Sequence, residues 1–131
     1  MDKWILITGG TKGIGKAVAG CLAKAGYQLI LTYASDEQAA ERASAELTRQ
    51  YAVAVELLQA DITSMQAVDT IDHFLRSRSL RLDALVLNAG ITCRDPFEQI
   101  QVEDWLRVFQ ANVHFPVFLL QRIVDLLQPR G

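Results

Sequence analysis

Short apolar runs alternate along the chain with longer segments in which apolar residues recur every three or four positions. The runs occupy residues 4–7, 29–31, 53–58 and 84–87, and all except the third are continuous. A continuous apolar run is typical of a strand that is covered on both faces, as in a parallel sheet. The pattern therefore predicts four buried strands.

The segments between the runs have the spacing of amphipathic helices, because each repeats apolar residues at intervals of three or four. The repeating positions are Ile14, Val18, Cys21, Leu22 and Ala25 in the first segment, Ala40, Ala43 and Leu47 in the second, and Val68, Ile71 and Leu75 in the third. Capping boxes at Ser35 with Gln38 and at Thr63 with Gln66 predict the starts of the second and third helices. Gly26 is suited to end the first helix.

Alternation of strands and helices in this order predicts an α/β fold, a doubly wound parallel sheet with helices on both faces. A long apolar helix over residues 103–127 follows the fourth strand. Pro129 and Gly131 then stand where breakers normally precede a further strand. We expect residues 1–131 to form the N-terminal portion of one domain, with an incomplete sheet.

Composition narrows the class of protein. Of the 131 residues 50% are hydrophobic, and 13 basic against 15 acidic groups give a net charge of −2. No basic run could neutralise a row of phosphates, which argues against a nucleic-acid partner. The start lacks the apolar core of a signal peptide and no stretch has the length of a membrane span, which predicts a cytoplasmic protein without a membrane partner. Cys21 and Cys93 lack metal or redox spacing, so we expect reduced, buried thiols and no metal site.

The glycine-rich stretch TGGTKGIGKA, residues 8–17, follows the first strand and fits two kinds of phosphate-binding loop. A mononucleotide P-loop needs a final Ser or Thr as a magnesium ligand, and Ala17 stands there instead. A dinucleotide turn needs Gly9 for the tight turn, Gly13 for the approach of the backbone to a pyrophosphate, and Gly15 for helix–strand packing. We therefore predict a dinucleotide turn, with the pyrophosphate at the N-terminus of the first helix. Such a turn is typical of the Rossmann-type doubly wound sheet, for which the four strands here would have the order 3-2-1-4.

Polar and small residues follow the third and fourth strands, at the sheet edge where ligands bind in open α/β folds. Asp61 can accept a hydrogen bond from the adenine amino group there, although it can also cap the helix that begins near Thr63. Ala89 and Gly90 leave room for the backbone to lie against a ribose or a nicotinamide. Asn88 is expected to tie strands together at the end of the sheet.

Four motifs in this order resemble the N-terminal half of a short-chain dehydrogenase/reductase, in the manner of 3-oxoacyl carrier protein reductases. They are TGGTKGIG at residues 8–15, Asp61, NAG at residues 88–90, and Asn112 in the long helix. The resemblance implies a set of cofactor-binding residues, namely Gly9, Gly10, Thr11, Lys12, Gly13, Ile14, Gly15, Tyr33, Asp61, Ile62, Asn88, Ala89 and Gly90. It also implies that Asn112 is catalytic and that the whole protein is a homodimer or homotetramer built on the helix at 103–127.

Pro116 lies four residues after Asn112 in the same helical pattern. Because proline has no N–H, the carbonyl of Asn112 loses its intrahelical partner and the helix bends. The resemblance implies that this carbonyl holds an ordered water in a proton relay. The alternative is a packing kink at Pro116 and an ordinary polar helix residue at Asn112.

The choice between NADP(H) and NAD(H) depends on two positions. Tyr33 stands where NAD-binding folds place an acidic residue for the ribose hydroxyls. Lys12 stands where the resemblance places a basic residue that faces the 2′-phosphate of the adenosine. We therefore predict that NADP(H) is preferred over NAD(H).

The resemblance implies hydride transfer between a nicotinamide and a small carbonyl or alcohol substrate. The alternative is a non-catalytic nucleotide-binding or regulatory module that shares the fold. A Tyr-x-x-x-Lys pair with an upstream Ser separates the two, and we expect these residues beyond position 131. At the lysine spacing, Tyr27, Tyr33 and Tyr51 are followed by Leu31, Glu37 and Val55. We predict that the 131 residues alone are inactive.

Overall fold

The computed structural model describes residues 2–129 and contains a four-stranded parallel sheet. Its strands are β1 (Trp4–Ile7), β2 (Gln28–Tyr33), β3 (Val55–Gln59) and β4 (Leu82–Val86). β1 pairs with β2 on one side and β4 on the other, and β3 pairs with the outer edge of β2. The predicted parallel sheet and its order, β3-β2-β1-β4, are confirmed.

The ends of the strands differ from the ends of the apolar runs. β3 begins at Val55, two residues later than predicted, because Ala52 takes a left-handed conformation at the end of the preceding helix. Val53 is nevertheless buried in the connection. β4 begins two residues earlier than predicted, at the fully buried Leu82. A residue can be apolar because it is buried even when its backbone does not pair in the sheet. The apolar runs therefore indicate where the strands lie but not at which residues they begin and end.

Three helices connect the strands: α1 (Gly13–Lys24), α2 (Glu37–Tyr51) and α3 (Gln66–Ser77). Gly26 ends α1 as predicted, with a φ of 94° and its N–H donated to the carbonyl of Ala23 at 2.9 Å. In this left-handed conformation glycine has no Cβ penalty.

The helix starts lie later than the predicted capping boxes, by one residue for α2 and by two for α3, whose N-cap is Met65. Asp36, rather than Ser35, caps α2, and its Oδ1 accepts a hydrogen bond from the N–H of Ala39 at 3.1 Å. Before α3, the Oγ of Ser64 accepts from the N–H of Gln66 at 3.2 Å. A carboxylate is favoured over a hydroxyl at the positive end of a helix dipole, which accounts for the choice of Asp36.

The face of α1 that packs on the sheet also differs from the predicted apolar stripe. Its buried positions are Gly15, Ala19 and Ala23, whereas Ile14 is 78% exposed. Small residues on the inner face let the helix backbone lie close to the strands. Close packing therefore decides which face of α1 is buried, and the more apolar stripe is left toward the outside. The expectation of buried thiols is wrong as well, since Cys21 is exposed on α1 and Cys93 is half-buried.

The predicted long helix is interrupted. It consists of α4 (Val102–Phe109), a π-helical turn (Gln110–His114), α5 (Phe115–Ile123) and a final 3₁₀ turn (Val124–Leu126). At the π turn the N–H of Phe115 donates to the carbonyl of Gln110, five residues earlier. Pro116 follows directly and has no N–H to donate, so the distortion predicted from the sequence takes the form of a widened turn.

Two apolar layers cover the sheet. On one face Leu6 and Ile30 pack with α3 and with α5, whose buried side chains are Phe115, Leu119 and Ile123. On the other face the alternate strand residues pack with α1 and α2. The doubly wound α/β fold is therefore confirmed. Within residues 2–129, no helix combines the length and the apolar character needed to cross a membrane.

A further parallel contact begins at the outer edge of β4. Leu127 bridges to Leu82, and the N–H of Gln128 donates to the carbonyl of Leu82 at 2.7 Å. Backbone pairing therefore starts before Pro129, earlier than the sequence predicted; Gly131 lies outside the described residues.

Candidate functional site

The carboxyl ends of the parallel strands open onto a cleft of about 450 Å³. The lining residues come from the turn after β1, the end of β2 and the segments after β3 and β4, with one residue from α4. They are Gly9, Thr32, Tyr33, Ala34, Ser35, Asp61, Ile62, Thr63, Asn88, Ala89, Gly90, Ile91 and Arg107. The fold thus brings five separate segments of the sequence to one site.

The glycine turn between β1 and α1 is joined to the end of β4 through Thr8. The buried Oγ1 of Thr8 accepts hydrogen bonds from the N–H groups of Asn88 and Ala89, both at 3.1 Å. In return, Nδ2 of Asn88 donates to the carbonyls of Thr8 and Gly9 at 3.1 and 3.2 Å. The strand-tying role predicted for Asn88 is confirmed.

The same turn is held from the other side by Thr32 at the end of β2. Its buried Oγ1 accepts a hydrogen bond from the N–H of Gly9 at 3.1 Å. The role of Thr8 and Thr32 in holding the turn was missed from the sequence. The available signal was their type: each is a hydrogen-bonding residue at the end of an otherwise apolar strand.

Gly15 is required by a close approach of backbone. A Cβ built at this position would lie 2.2 Å from the carbonyl oxygen of Gly9 and 2.6 Å from Nδ2 of Asn88. Gly9 itself has a φ of 65°, a left-handed conformation that other residues rarely adopt. Any side chain at Gly15 would therefore push the first turn of α1 away from the end of β1.

The other residues of the glycine turn fall into three groups. Thr11 and Lys12 line a smaller pocket beside the cleft. Gly10 is buried behind the turn, against Leu31. Gly13 borders a separate groove between α1 and α2, and the Ile14 side chain is exposed. The first amides of α1, which begin at Gly13, have no partner within the helix and are available to an anion.

The smaller pocket has a volume of about 200 Å³ and shares Gly9, Tyr33, Ala34 and Ser35 with the main cleft. At its rim Nζ of Lys12 lies 2.5 Å from Oδ2 of Asp36. The Lys12 hydrogen bond, with the Ala39 N–H as a second contribution, lowers the pKa of Asp36 below its ordinary value. Asp36 is therefore ionised at neutral pH.

Asp61 lies at the opposite wall of the cleft. Its Oδ1 accepts hydrogen bonds from the hydroxyl and the N–H of Thr63, at 2.7 and 2.9 Å. These bonds lower the pKa of Asp61, the hydroxyl contributing most, and the positive charge of Arg107 adds to the effect. The carboxylate is therefore ionised at neutral pH. Asp61 lines the cleft and also caps the turn at Thr63. A contact with adenine and a capping role are thus compatible.

Asn112 does not line the cleft but fixes the loop that does. Its Oδ1 accepts from the N–H of Ile91 at 2.8 Å, and its Nδ2 donates to the carbonyl of Ile91 at 2.7 Å. A Cβ at Gly90 would lie 3.2 Å from the same Oδ1. The π turn therefore presents the Asn112 amide edge-on to the backbone that follows β4.

Several lining residues were not predicted. The lining residues that were expected at the site are Gly9, Tyr33, Asp61, Ile62, Asn88, Ala89 and Gly90. Those that were not expected are Thr32, Ala34, Ser35, Thr63, Ile91 and Arg107. Most of the missed residues are neighbours of predicted ones, so the strand ends were a usable signal. Arg107 comes from α4, and no local pattern in the sequence connects it to the sheet edge.

One group of potential metal ligands lies outside the cleft. The donor atoms of Cys93, Asp95 and Asp104 are all within 4.8 Å of one another, and Sγ of Cys93 is 3.6 Å from Oδ2 of Asp95. Exposed acidic groups often approach one another without a metal. The expectation that the protein has no metal site stays a prediction.

Comparison with known proteins supports one family. A family model described as short chain dehydrogenase matches residues 3–131. The chain is 34% identical over 122 residues to a 3-oxoacyl-(acyl-carrier-protein) reductase of Synechocystis sp., covering 93% of this chain and 49% of that protein. The structure is similar to L-sorbose reductase from Gluconobacter frateurii complexed with NADPH and L-sorbose, with a TM-score of 0.87 and 27% identity over 95% of this chain and 47% of that one. A short chain dehydrogenase from Burkholderia cenocepacia in complex with NADP gives a TM-score of 0.87 and 28% identity, over 95% and 51%.

The chain spans about half the length of these relatives. The family match nevertheless extends over nearly the whole chain and includes the sheet, the glycine turn and the interrupted helix. The chain therefore belongs to the short chain dehydrogenase family.

Proposed function

We propose that the whole protein is an oxidoreductase that uses NADP(H) to move a hydride between a nicotinamide and a small carbonyl or alcohol substrate. The observation that carries this proposal is the glycine turn, which is held open toward the cleft by Thr8, Thr32 and Asn88. Membership of the short chain dehydrogenase family supports it. So do the two similar structures, which are complexes with NADPH and with NADP.

The described residues fit a dinucleotide. Gly9 and Gly15 let the turn pack closely against Asn88 and Ala89, where a Cβ would collide, and the first amides of α1 suit a pyrophosphate. The Asp61 carboxylate and the half-buried Tyr33 suit an adenosine at one end, while Ala89 and Gly90 leave room at the other. When bound, the nicotinamide supplies or accepts the hydride; the residues named here hold and orient it.

Preference for NADP(H) over NAD(H) is proposed from Lys12. Its ammonium group lies at the rim of the smaller pocket, next to Tyr33, where a 2′-phosphate would add negative charge. Tyr33 has no charge to attract or repel either cofactor, in contrast to the acid that NAD-binding folds use at the end of the second strand. The cofactor is thus selected by attraction to Lys12.

Asn112 is proposed to contribute to the reaction by holding the loop after β4 in position. Its side chain is bound to Ile91 and keeps the loop after β4 in place, beside the end of the cleft at Gly90. Pro116, the residue whose N–H would bond the Asn112 carbonyl in an α-helix, has no N–H, so a water can take the missing place. This supports the proposed role of Asn112 in a proton relay.

Proton transfer to the substrate requires a group that these 131 residues lack. No tyrosine in the chain is followed at the fourth position by lysine, the pair that the family resemblance calls for. We therefore propose that the acid–base residues belong to the part of the whole protein beyond this chain, and that residues 1–131 alone bind nucleotide without turnover.

The test uses the intact protein and follows NADPH absorbance with a panel of ketones, quinones and 3-oxoacyl thioesters. We expect oxidation of NADPH with at least one substrate class, and none with residues 1–131 alone. Cofactor binding without turnover by the intact protein would favour the non-catalytic nucleotide-binding module. Failure to bind NADPH at all would contradict both functions.

We also propose that the whole protein is a homodimer or homotetramer through the segment predicted as the helix 103–127. Its α4 and α5 carry exposed apolar side chains beside the buried ones, among them Trp105, Leu106, Val117 and Phe118. Light scattering of the intact protein at micromolar concentration is expected to give a mass of two or four subunits. A clean monomer would contradict this proposal.

A further inference from the structure

An ion pair occupies the rim of the smaller pocket. Nζ of Lys12 and Oδ2 of Asp36 are 2.5 Å apart, and both side chains line the pocket together with Thr11, Tyr33 and Ser35. Among the described residues that line this pocket, Lys12 is the only cationic side chain. Any anionic group that enters beside Tyr33 must therefore share Lys12 with Asp36.

Asp36 is held at both carboxylate oxygens. Oδ1 accepts the hydrogen bond from the N–H of Ala39 that caps α2, and Oδ2 contacts Lys12. Because the cap fixes this carboxylate to the helix, Asp36 cannot turn away without leaving the first turn of α2 uncapped. Lys12 has a long flexible stem and is the partner that can move.

We propose that Asp36 is a specificity-determining positioning residue, which holds Lys12 and competes with the 2′-phosphate of the cofactor for it. Both groups are anionic, and both would bind the same ammonium from within the same pocket. The pair therefore weakens the preference of the protein for the phosphorylated cofactor below the level that Lys12 alone would give. This inference rests on the proposed function, because it concerns the adenosine end of the proposed NADP(H) site.

The experiment measures calorimetrically how tightly the intact protein binds 2′,5′-ADP and 5′-AMP. The two probes differ by the 2′-phosphate, so the ratio of their dissociation constants isolates the contribution of that group. Asp36→Asn removes the negative charge but keeps an oxygen that can cap α2. Since exposed ion pairs are weak, we expect the ratio to shift about two- to fivefold in favour of 2′,5′-ADP.

Glu46→Gln is a matched control. Glu46 also lies on α2 and pairs with a lysine of α1, since its Oε2 is 2.8 Å from Nζ of Lys16, but it does not line the smaller pocket. The substitution removes the same charge from the same helix without releasing Lys12. We expect the ratio for Glu46→Gln to equal that of the wild type.

Asp36→Asn is also made in a Lys12→Met background. If Asp36 acts by holding Lys12, the shift disappears there. A shift that persists without Lys12, or one of equal size in Glu46→Gln, would show general repulsion and overturn the inference. So would an unchanged ratio in the single variant. If the wild type binds neither probe, the proposed function itself fails, and that result is distinct from an unchanged ratio.

Discussion

The glycine turn at residues 8–15 and the helical segment at residues 102–126 flank the same cleft but are held in different ways. The turn is fixed from both neighbouring strands, by the hydrogen bonds of Thr8, Thr32 and Asn88. The helical segment buries Phe115, Leu119 and Ile123 against the sheet, while large apolar side chains along the same segment stay exposed.

The two regions differ in how fully the surrounding residues satisfy them. The hydrogen bonds that hold the turn join Thr8, Thr32 and Asn88, which all lie within the described residues. The helical segment has more apolar surface than one sheet covers, and contiguous exposed apolar surface generally marks an interaction site. Substitutions in the turn should therefore disturb its local geometry. On α5, substitutions of buried residues should reduce the free energy of unfolding much more than substitutions of exposed residues.

The largest effect is expected for Phe115→Ala on α5. Phe115 is 1% exposed, and truncation of a core phenylalanine costs about 3–5 kcal/mol in the free energy of unfolding. Phe118→Ala, three residues later and 43% exposed, should cost less than about 1 kcal/mol. Urea unfolding measures both. Equal losses would mean that α5 does not have the two distinct faces described here.

The next effect is expected for Gly15→Ala in the turn. The added methyl would overlap the Gly9 carbonyl, and we expect a loss of about 3 kcal/mol together with a loss of NADPH binding. Gly20→Ala in the same helix has no atom within 4 Å of the new Cβ, so it should stabilise by about 0.5–1 kcal/mol. Chemical denaturation and fluorescence titration give the two readouts. Normal NADPH binding by Gly15→Ala would refute the close-approach argument.

A smaller loss is expected for Thr8→Val. The substitution keeps the shape but removes the acceptor of the Asn88 and Ala89 N–H groups, which should cost about 2 kcal/mol. Thr48→Val, at an exposed position of α2, makes the same chemical change with an expected effect within about 0.5 kcal/mol. Unfolding midpoints compare the pair. Similar midpoints for the two variants would show that the Thr8 hydroxyl does not hold the turn.

The smallest effect concerns pH. Hydrogen bonds from Thr63 lower the pKa of Asp61 in the folded state, below the ordinary value of 3.8. The resulting stabilisation is complete above that ordinary value and is lost as the pH falls through the lowered one. The difference in stability between wild type and Asp61→Asn should therefore shrink between neutral pH and pH 3. Urea titrations at the two pH values test this, and a difference independent of pH would contradict it.

The positions of the strands and the nature of the turn could be predicted from the sequence. Apolar runs, continuous in all but the third, placed β1 to β4, and Ala17 decided between the two loop types. Both are local properties. A strand buried on both faces shows as a short apolar run, and the missing Ser or Thr of a P-loop shows at a single position. Asn88 was also predicted, since an amide that closely follows a buried strand has few other partners.

Two features depended on distant partners. The inner face of α1 consists of Gly15, Ala19 and Ala23, because the helix approaches the strands too closely for the larger side chains of the predicted stripe. Asp36 replaced Ser35 as the cap of α2 and also pairs with Lys12, a residue 24 positions earlier. Neither the buried face of α1 nor the cap of α2 can be predicted from the spacing of residues in the sequence, since each depends on how near another element lies.

The sequence by itself determined the alternating elements and the residues of the glycine turn, because periodicity and residue type act over short range. The tertiary structure decided how the turn is held and where Asn112 points. Thr8 reaches Asn88 across 80 positions, and Asn112 reaches Ile91 across 21. A hydrogen bond needs atoms within about 3 Å, and chain folding alone brings such distant positions that close.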